Sequence, residues 1–248
     1  MKKAQISIFI IIALLLVLSV TIVFIFNRGD LGILRYINKD LSSESGKINS
    51  VFHDCIRQRG IDAIRIIGLQ GGYVKLPEKF IKINISDVAY GYYEGRKTLP
   101  QKGDIEREIS SYIELSLPYC IDYNSFPDLN LSIGEPLAKV NIEKNYVRIS
   151  AKIPISIAKD GKTLVLNEDY NAEIPIKLRD MYDIADEIID KEISDPNYIQ
   201  VSYLAGLNYN IMILPQDEKN IVYVITDDSN RSRIDDVSYS FLFANKLK

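Results

Sequence analysis

Residues 147–178 read VRISAKIPISIAKDGKTLVLNEDYNAEIPIKL, and this stretch decides the fold class. Val147, Ile149, Ala151, Ile153, Ile155 and Ile157 recur at every second position, the period of a half-buried strand. Asp160-Gly161 has the chemistry of a two-residue hairpin turn, whose central positions need positive φ. The returning chain holds Leu164 and Leu166, then Ala172, Ile174, Ile176 and Leu178. A turn this short permits only antiparallel pairing. Pro154 and Pro175 lack an amide donor and push parts of these strands toward an edge or a bulge.

Working outward, Ala138 to Glu143 reads as a further strand, joined through a turn at Lys144-Asn145. Upstream, Ile81, Ile83 and Ile85 alternate with Lys82 and Asn84, and Val88 to Tyr93 forms another candidate strand. Asp104 is a good N-cap for a helix carrying Ile105, Ile109, Tyr112 and Ile113, which Pro118 ends just before Cys120. Downstream, Asp180 to Ile193 reads as an acidic helix with Met181, Ile184, Ile188 and Ile189 turned inward. Three more strands follow, at Ile211 to Leu214, Ile221 to Thr226 and Val237 to Ala244. The class is α+β with mainly antiparallel sheet.

The N-terminus is different in kind. From Ile8 to Phe26 only Ser19 and Thr21 are polar, and these nineteen residues would span roughly 29 Å as a helix, close to the hydrocarbon thickness of a bilayer. A cleaved secretory signal is shorter and ends at a small-x-small site, whereas this run ends in Asn27-Arg28-Gly29-Asp30. Residues 6–26 therefore read as one retained transmembrane signal-anchor helix. They follow a cytoplasmic tail (1–5) and precede a helical stalk or base (27–72) and an extracytoplasmic α+β domain (73–248), with a candidate subdivision near 180–196. Within the base, Leu31 to Leu41 reads as a short helix broken by Ser42-Ser43-Glu44-Ser45-Gly46. A second helical period starts at Lys47 and stops at Gly68 or Gly71-Gly72. Lys and Arg on the two sides of the apolar run nearly balance, so orientation rests on the cysteines.

Cys55 and Cys120 are the two cysteines of the chain. Beyond a membrane an even count reads as a disulfide, and closing a loop of this length stabilises by about 4 kcal/mol at most in the chain-entropy account. A bridge would put the C-terminal domain outside the cell membrane.

Few residues point to catalysis. His53 is the sole histidine and lies two positions from Cys55, on a different face of a helix. Together with the cysteines it supplies three soft ligands, one short of a zinc site. No nucleophile-elbow sequence supports a serine triad. Gln70-Gly71-Gly72-Tyr73 lacks the spacing of a phosphate loop and reads as a helix stop. Asp227, Asp228, Asp235 and Asp236 are weak calcium candidates without the EF-hand pattern. The carboxylates Asp183, Asp186, Glu187 and Asp190 lie mainly on one solvated helix face. Tyr90, Tyr92 and Tyr93 offer a sugar- or partner-binding ridge, with Tyr90 and Tyr92 on one face of a regular strand and Tyr93 opposed.

Composition bounds the rest. At 47% hydrophobic and 25% charged residues the chain is not globally disordered. A net charge of -3 does not suggest a nucleic-acid partner. The expectation is a non-catalytic structural or interaction protein without cofactor. Its partners would be the lipid bilayer and other cell-envelope proteins or copies of itself. A filament subunit and a membrane-tethered enzyme are the alternatives.

Lys2-Lys3-Ala4-Gln5-Ile6-Ser7 before the apolar run resembles the class III, type IV pilin-like signal sequences of archaea. That resemblance implies processing between Ala4 and Gln5 with the helix kept on the mature protein. Phe9 stands where pilins carry an acidic residue that registers subunits in a filament. Together with Gln70-Gly71-Gly72-Tyr73, Tyr90-Gly91-Tyr92-Tyr93, Cys55 and Cys120, the chain resembles uncharacterised archaeal membrane-anchored surface proteins. The implication is an external domain, with no mechanism attached.

Overall fold

Helix α1 (Lys2–Leu69) opens the structure, a computed structural model that describes the backbone of residues 2–195, 201–229 and 232–247. Side chains are described for residues 14–19, 41–195, 202–229 and 232–247. The chain divides into two units, Met1–Ile48 and Asn49–Lys248.

In the first unit the helix runs through residues 42–46 without the expected break. Ser45 Oγ donates to the Ser42 carbonyl at 2.8 Å, and Glu44 pairs with Lys47 at 2.9 Å. These local contacts suit a helix, and one glycine costs only about 1 kcal/mol there. The expected membrane segment, residues 6–26, falls mostly on side chains outside the described set. Among the described residues no helix is long and apolar enough to cross a membrane. The expected processing residues Ala4 and Gln5 also have side chains outside that set.

The second unit is α+β with mainly antiparallel sheets. After α1 come β1 (Phe80–Lys82), β2 (Asp87–Tyr93), β3 (Arg96–Lys97) and α2 (Lys102–Ser116). Next are β4 (Asn130–Ile133), β5 (Leu137–Ile142), β6 (Val147–Lys152), β7 (Ile155–Lys159), β8 (Lys162–Leu166) and β9 (Asp169–Ile174). The chain ends with α3 (Leu178–Ser194), α4 (Val201–Ala205), β10 (Asn210–Pro215), β11 (Asn220–Thr226), β12 (Arg233–Ile234), β13 (Val237–Ser238) and β14 (Ser240–Lys246). The main sheet has the order β1-β2-β14-β11-β10, with β3 beside β2. Two smaller sheets, β5-β6-β9 and β4-β7-β8, and the ribbon β12-β13 complete the set.

The strand expected over 147–157 is two strands in two sheets. Alternation survives the break, since Val147, Ile149, Ile153, Ile155 and Ile157 are all fully buried. At Pro154 the ladder stops: its carbonyl accepts from Gly134 N at 2.7 Å while its own nitrogen has no proton to give. The chain then changes sheet. The turn at Asp160 (φ 50) and Gly161 (φ 75) joins β7 to β8 as expected. Asp104 is the third helical residue of α2, and Gln101 is the N-cap. Asp104 Oδ2 reaches back to accept from Gln101 N at 3.0 Å, completing a capping box.

The C-terminal part of α1 is the hub of this unit. Phe52, Ile56, Ala63, Ile64 and Ile67 are fully buried. Gly60 lies against Ile149 of β6 and Ile174 of β9, and Tyr239 donates to the Ile64 carbonyl at 3.0 Å from beside β14. Helix α3 covers one face of the main sheet through Met181, Ile184, Ile188 and Ile189. At 25 cal/mol per Å², each such buried side chain contributes roughly 1.5–3 kcal/mol.

Candidate functional site

Cys55 lies on α1, and Cys120 ends a 3-10 turn (Leu117–Cys120) that continues α2 past Pro118. Their Cα atoms are 5.9 Å apart, a disulfide distance, across 65 residues of sequence. His53 is exposed and meets the Tyr170 ring edge-on at 5.6 Å. Tyr170 in turn donates to Asn49 Oδ1 at 2.7 Å. Burial, with the Glu168 charge, pushes the Tyr170 hydroxyl up to about 12. His53 and Cys55 thus do not form a nucleophile–base pair.

The four aspartates considered for calcium are not gathered into one site. Asp227 is buried, and its Oδ2 lies 3.0 Å from Lys177 Nζ. Ser229 N donates to Asp227 Oδ1 at 3.0 Å, and Lys177 Nζ also donates to Ser229 Oγ at 3.3 Å. Burial works to raise the Asp227 carboxyl, but hydrogen bonds from Ser229 and Ser232 and from Lys177 hold it below its usual value. Lys177 N donates to Ser232 Oγ, so the same cluster ties the start of α3 to the 227–232 loop.

Asp228 is exposed. Asp235 (φ 51) and Asp236 (φ 62) are the central residues of the β12–β13 hairpin, where a two-residue turn requires positive φ. The Asp235 carboxylate pairs with Arg65, and Arg233 donates to the Asp236 carbonyl. Among the described residues no group of three or more His, Cys, Asp or Glu is placed to hold a metal ion.

Beside this hairpin lies a groove of about 460 Å³, lined by Arg65, Leu69, Ile234, Val237 and Tyr239. Its lining is mostly apolar, and the paired Arg65 and Asp235 are both part of it.

The tyrosine ridge is rearranged. Pairing passes from Ala244↔Tyr90 to Asn245↔Tyr92, which leaves Gly91 as an extra residue in a bulge. That shift puts Tyr90 and Tyr93 together, with rings 5.2 Å apart, in place of Tyr90 and Tyr92. Tyr92 is buried, and Lys246 Nζ lies 4.8 Å from the Tyr93 ring centre while pairing with Glu94 at 2.6 Å.

The carboxylates of α3 are held by cations. Lys97 meets Asp186 at 2.8 Å and Asp190 at 2.6 Å, Lys191 meets Glu187 at 2.7 Å, and Arg179 lies 3.7 Å from Asp183. Glu192 was not singled out by sequence. It accepts from Tyr223 and Asn245 in the interior of the unit. Burial pushes its carboxyl above the usual range, against the hydrogen bonds from Tyr223 and Asn245. Only its place on the inward face of α3, one turn after Ile188, signals it.

No protein-family model, curated protein or solved structure matches the chain.

Proposed function

We propose that the chain is a single-pass membrane protein whose C-terminal domain stands outside the cell as a non-catalytic structural or interaction module. The observation that carries this reading is the Cys55–Cys120 pair at disulfide distance, because such bridges persist in oxidising compartments. The apolar run from Ile8 to Phe26 supplies the anchor, and Leu14, Leu15, Leu16, Val17 and Leu18 are each more than half exposed. Five consecutive exposed apolar side chains are costly in water and favourable in lipid.

The test is thiol labelling of membranes isolated with the full chain. The expected result is a pellet-bound protein after alkaline extraction, with both cysteines blocked until reductant is added. Release of the protein by alkali, or two thiols that label without reductant, overturns the reading.

Ala4-Gln5 before the apolar run favours one further reading, a processed subunit of a surface filament. Mass spectrometry of the mature N-terminus tests it: a chain starting at Gln5 supports processing, and an intact start at Met1 removes the reading.

A further inference from the structure

A sheet edge presents unpaired backbone donors and acceptors, and folded proteins shorten, charge or cover such edges. This chain does so at most of its edges. Strand β1 has three residues and ends in Lys82, and β4 has four residues. Lys162 stands in β8, and Asp169 and Glu173 stand in β9. The outer edge of β5 is covered by α2: Glu114 accepts from Ala138 N and Glu106 from Ile142 N, each at 2.8 Å.

Strand β10 departs from that rule. It pairs with β11 on one side, and the chain from Gly206 to Gln216 has no charged residue. Gln216 N donates to Asn220 O at 2.8 Å, which sets the alternation: Leu214, Met212 and Asn210 bond to β11, and Ile211 and Ile213 point their amides and carbonyls away from it. Pro215 falls on the outward set, where its missing N–H costs the ladder nothing. Among the described residues neither outward amide has a partner. Met212 is 47% exposed between them.

We propose that β10 is a homotypic docking edge that pairs antiparallel with β10 of a second copy of this chain, about a two-fold axis at Met212. The outward groups are self-complementary in that register. Ile211 of each copy lies opposite Ile213 of the other, and the two pairs exchange four backbone hydrogen bonds. Met212 faces its own counterpart at a non-hydrogen-bonded position, where side chains approach closest. An uncharged strand meets no like-charge repulsion from its copy. The two main sheets become one continuous sheet. This proposal does not depend on whether the chain is anchored in a membrane.

The test is oxidative cross-linking of the full chain in detergent micelles, with single variants Ile211→Cys, Met212→Cys and Ile213→Cys. A non-hydrogen-bonded pair has Cα atoms about 4.5 Å apart, within disulfide reach. Identical residues at 211 or at 213 would stand one position from the axis on each chain, two positions out of register with each other, and out of reach. The expected result is a reducible dimer at Met212→Cys, several-fold above either neighbour. Met212→Lys, exposed and free to fold, lowers the dimer fraction in light scattering, as does Ile213→Pro, which removes an outward donor together with a half-buried side chain. Met212→Cys that stays monomeric overturns the proposal, as does linking of equal strength at all three positions.

Discussion

Lys177 Nζ lies 3.0 Å from Asp227 Oδ2, with the carboxylate almost wholly buried and the ammonium keeping a fifth of its side chain in solvent. Removing one partner of such a pair leaves a buried charge without its counter-charge.

Lys177→Met should therefore cost about 3 kcal/mol, the low end for a buried pair because Lys177 is partly solvated. Urea unfolding measures it. The acid limb carries a second signature. Asp227 has a folded-state pKa below its unfolded value, so its contribution is present above about pH 4 and lost as pH falls through the depressed value. In Lys177→Met that loss should begin at higher pH. Equal acid midpoints would show that the pair does not hold Asp227 ionised.

Glu192 predicts the opposite slope. Its folded-state pKa is raised, so stability is greatest below the unfolded value near 4.3 and falls as pH rises through the raised value. Each unit of elevation corresponds to about 1.4 kcal/mol. Glu192→Gln should flatten this fall. Gln can keep the Tyr223 bond, and Asn245, whose Oδ1 has no hydrogen-bond partner, can turn its carbonyl to accept from the new amide. Chemical unfolding at pH 4, 6 and 8 checks this, and parallel pH profiles for variant and parent would refute it.

These two clusters show where sequence reading stops. Alternation makes β5 to β9 legible, and the helical period gives Met181, Ile184, Ile188 and Ile189 of the inward face of α3, because both periods are local. Pro154 reads in the sequence as an edge or bulge signal inside one strand, and the change of sheet there depends on Gly134, just past β4, meeting its carbonyl. The parallel pairing of β2 with β14 joins residues more than 150 positions apart, and no local pattern encodes it. Gly91 turned the tyrosine prediction over by one residue, since a single bulge exchanges the faces of a strand. Asp235-Asp236 looked like ligands because aspartate serves both calcium loops and turns, and only backbone φ separates the two.

Gly68 is required by close approach. A Cβ there would meet the Ser240 carbonyl oxygen and the Tyr239 ring, at 2.8 Å from Cζ. Tyr239 is buried with its hydroxyl on Ile64, so it cannot step aside. Gly68→Ala should cost about 1–3 kcal/mol by overpacking, against a helix-propensity gain of about 1 kcal/mol. Thermal unfolding should fall by a few degrees. Gly46, with nothing within 4 Å of a Cβ, is the control, and Gly46→Ala should not lower the transition.

Cys55 on the hub helix and Cys120 at the end of α2 stand at disulfide distance, so a bridge between them would close a loop across 65 residues of sequence. Cross-linking over 65 residues stabilises mainly by restricting the unfolded chain, by about 4 kcal/mol as an upper bound. Cys55→Ser with Cys120→Ser should lower the urea midpoint without changing the far-ultraviolet dichroism of the folded state, because the helices are also held by apolar burial. Reductant should shift the parent protein to the same midpoint and leave the double variant unmoved. A parent midpoint insensitive to reductant would mean that the two sulfurs are neighbours without being joined. The compartment argument that rests on them would then fall with the bridge.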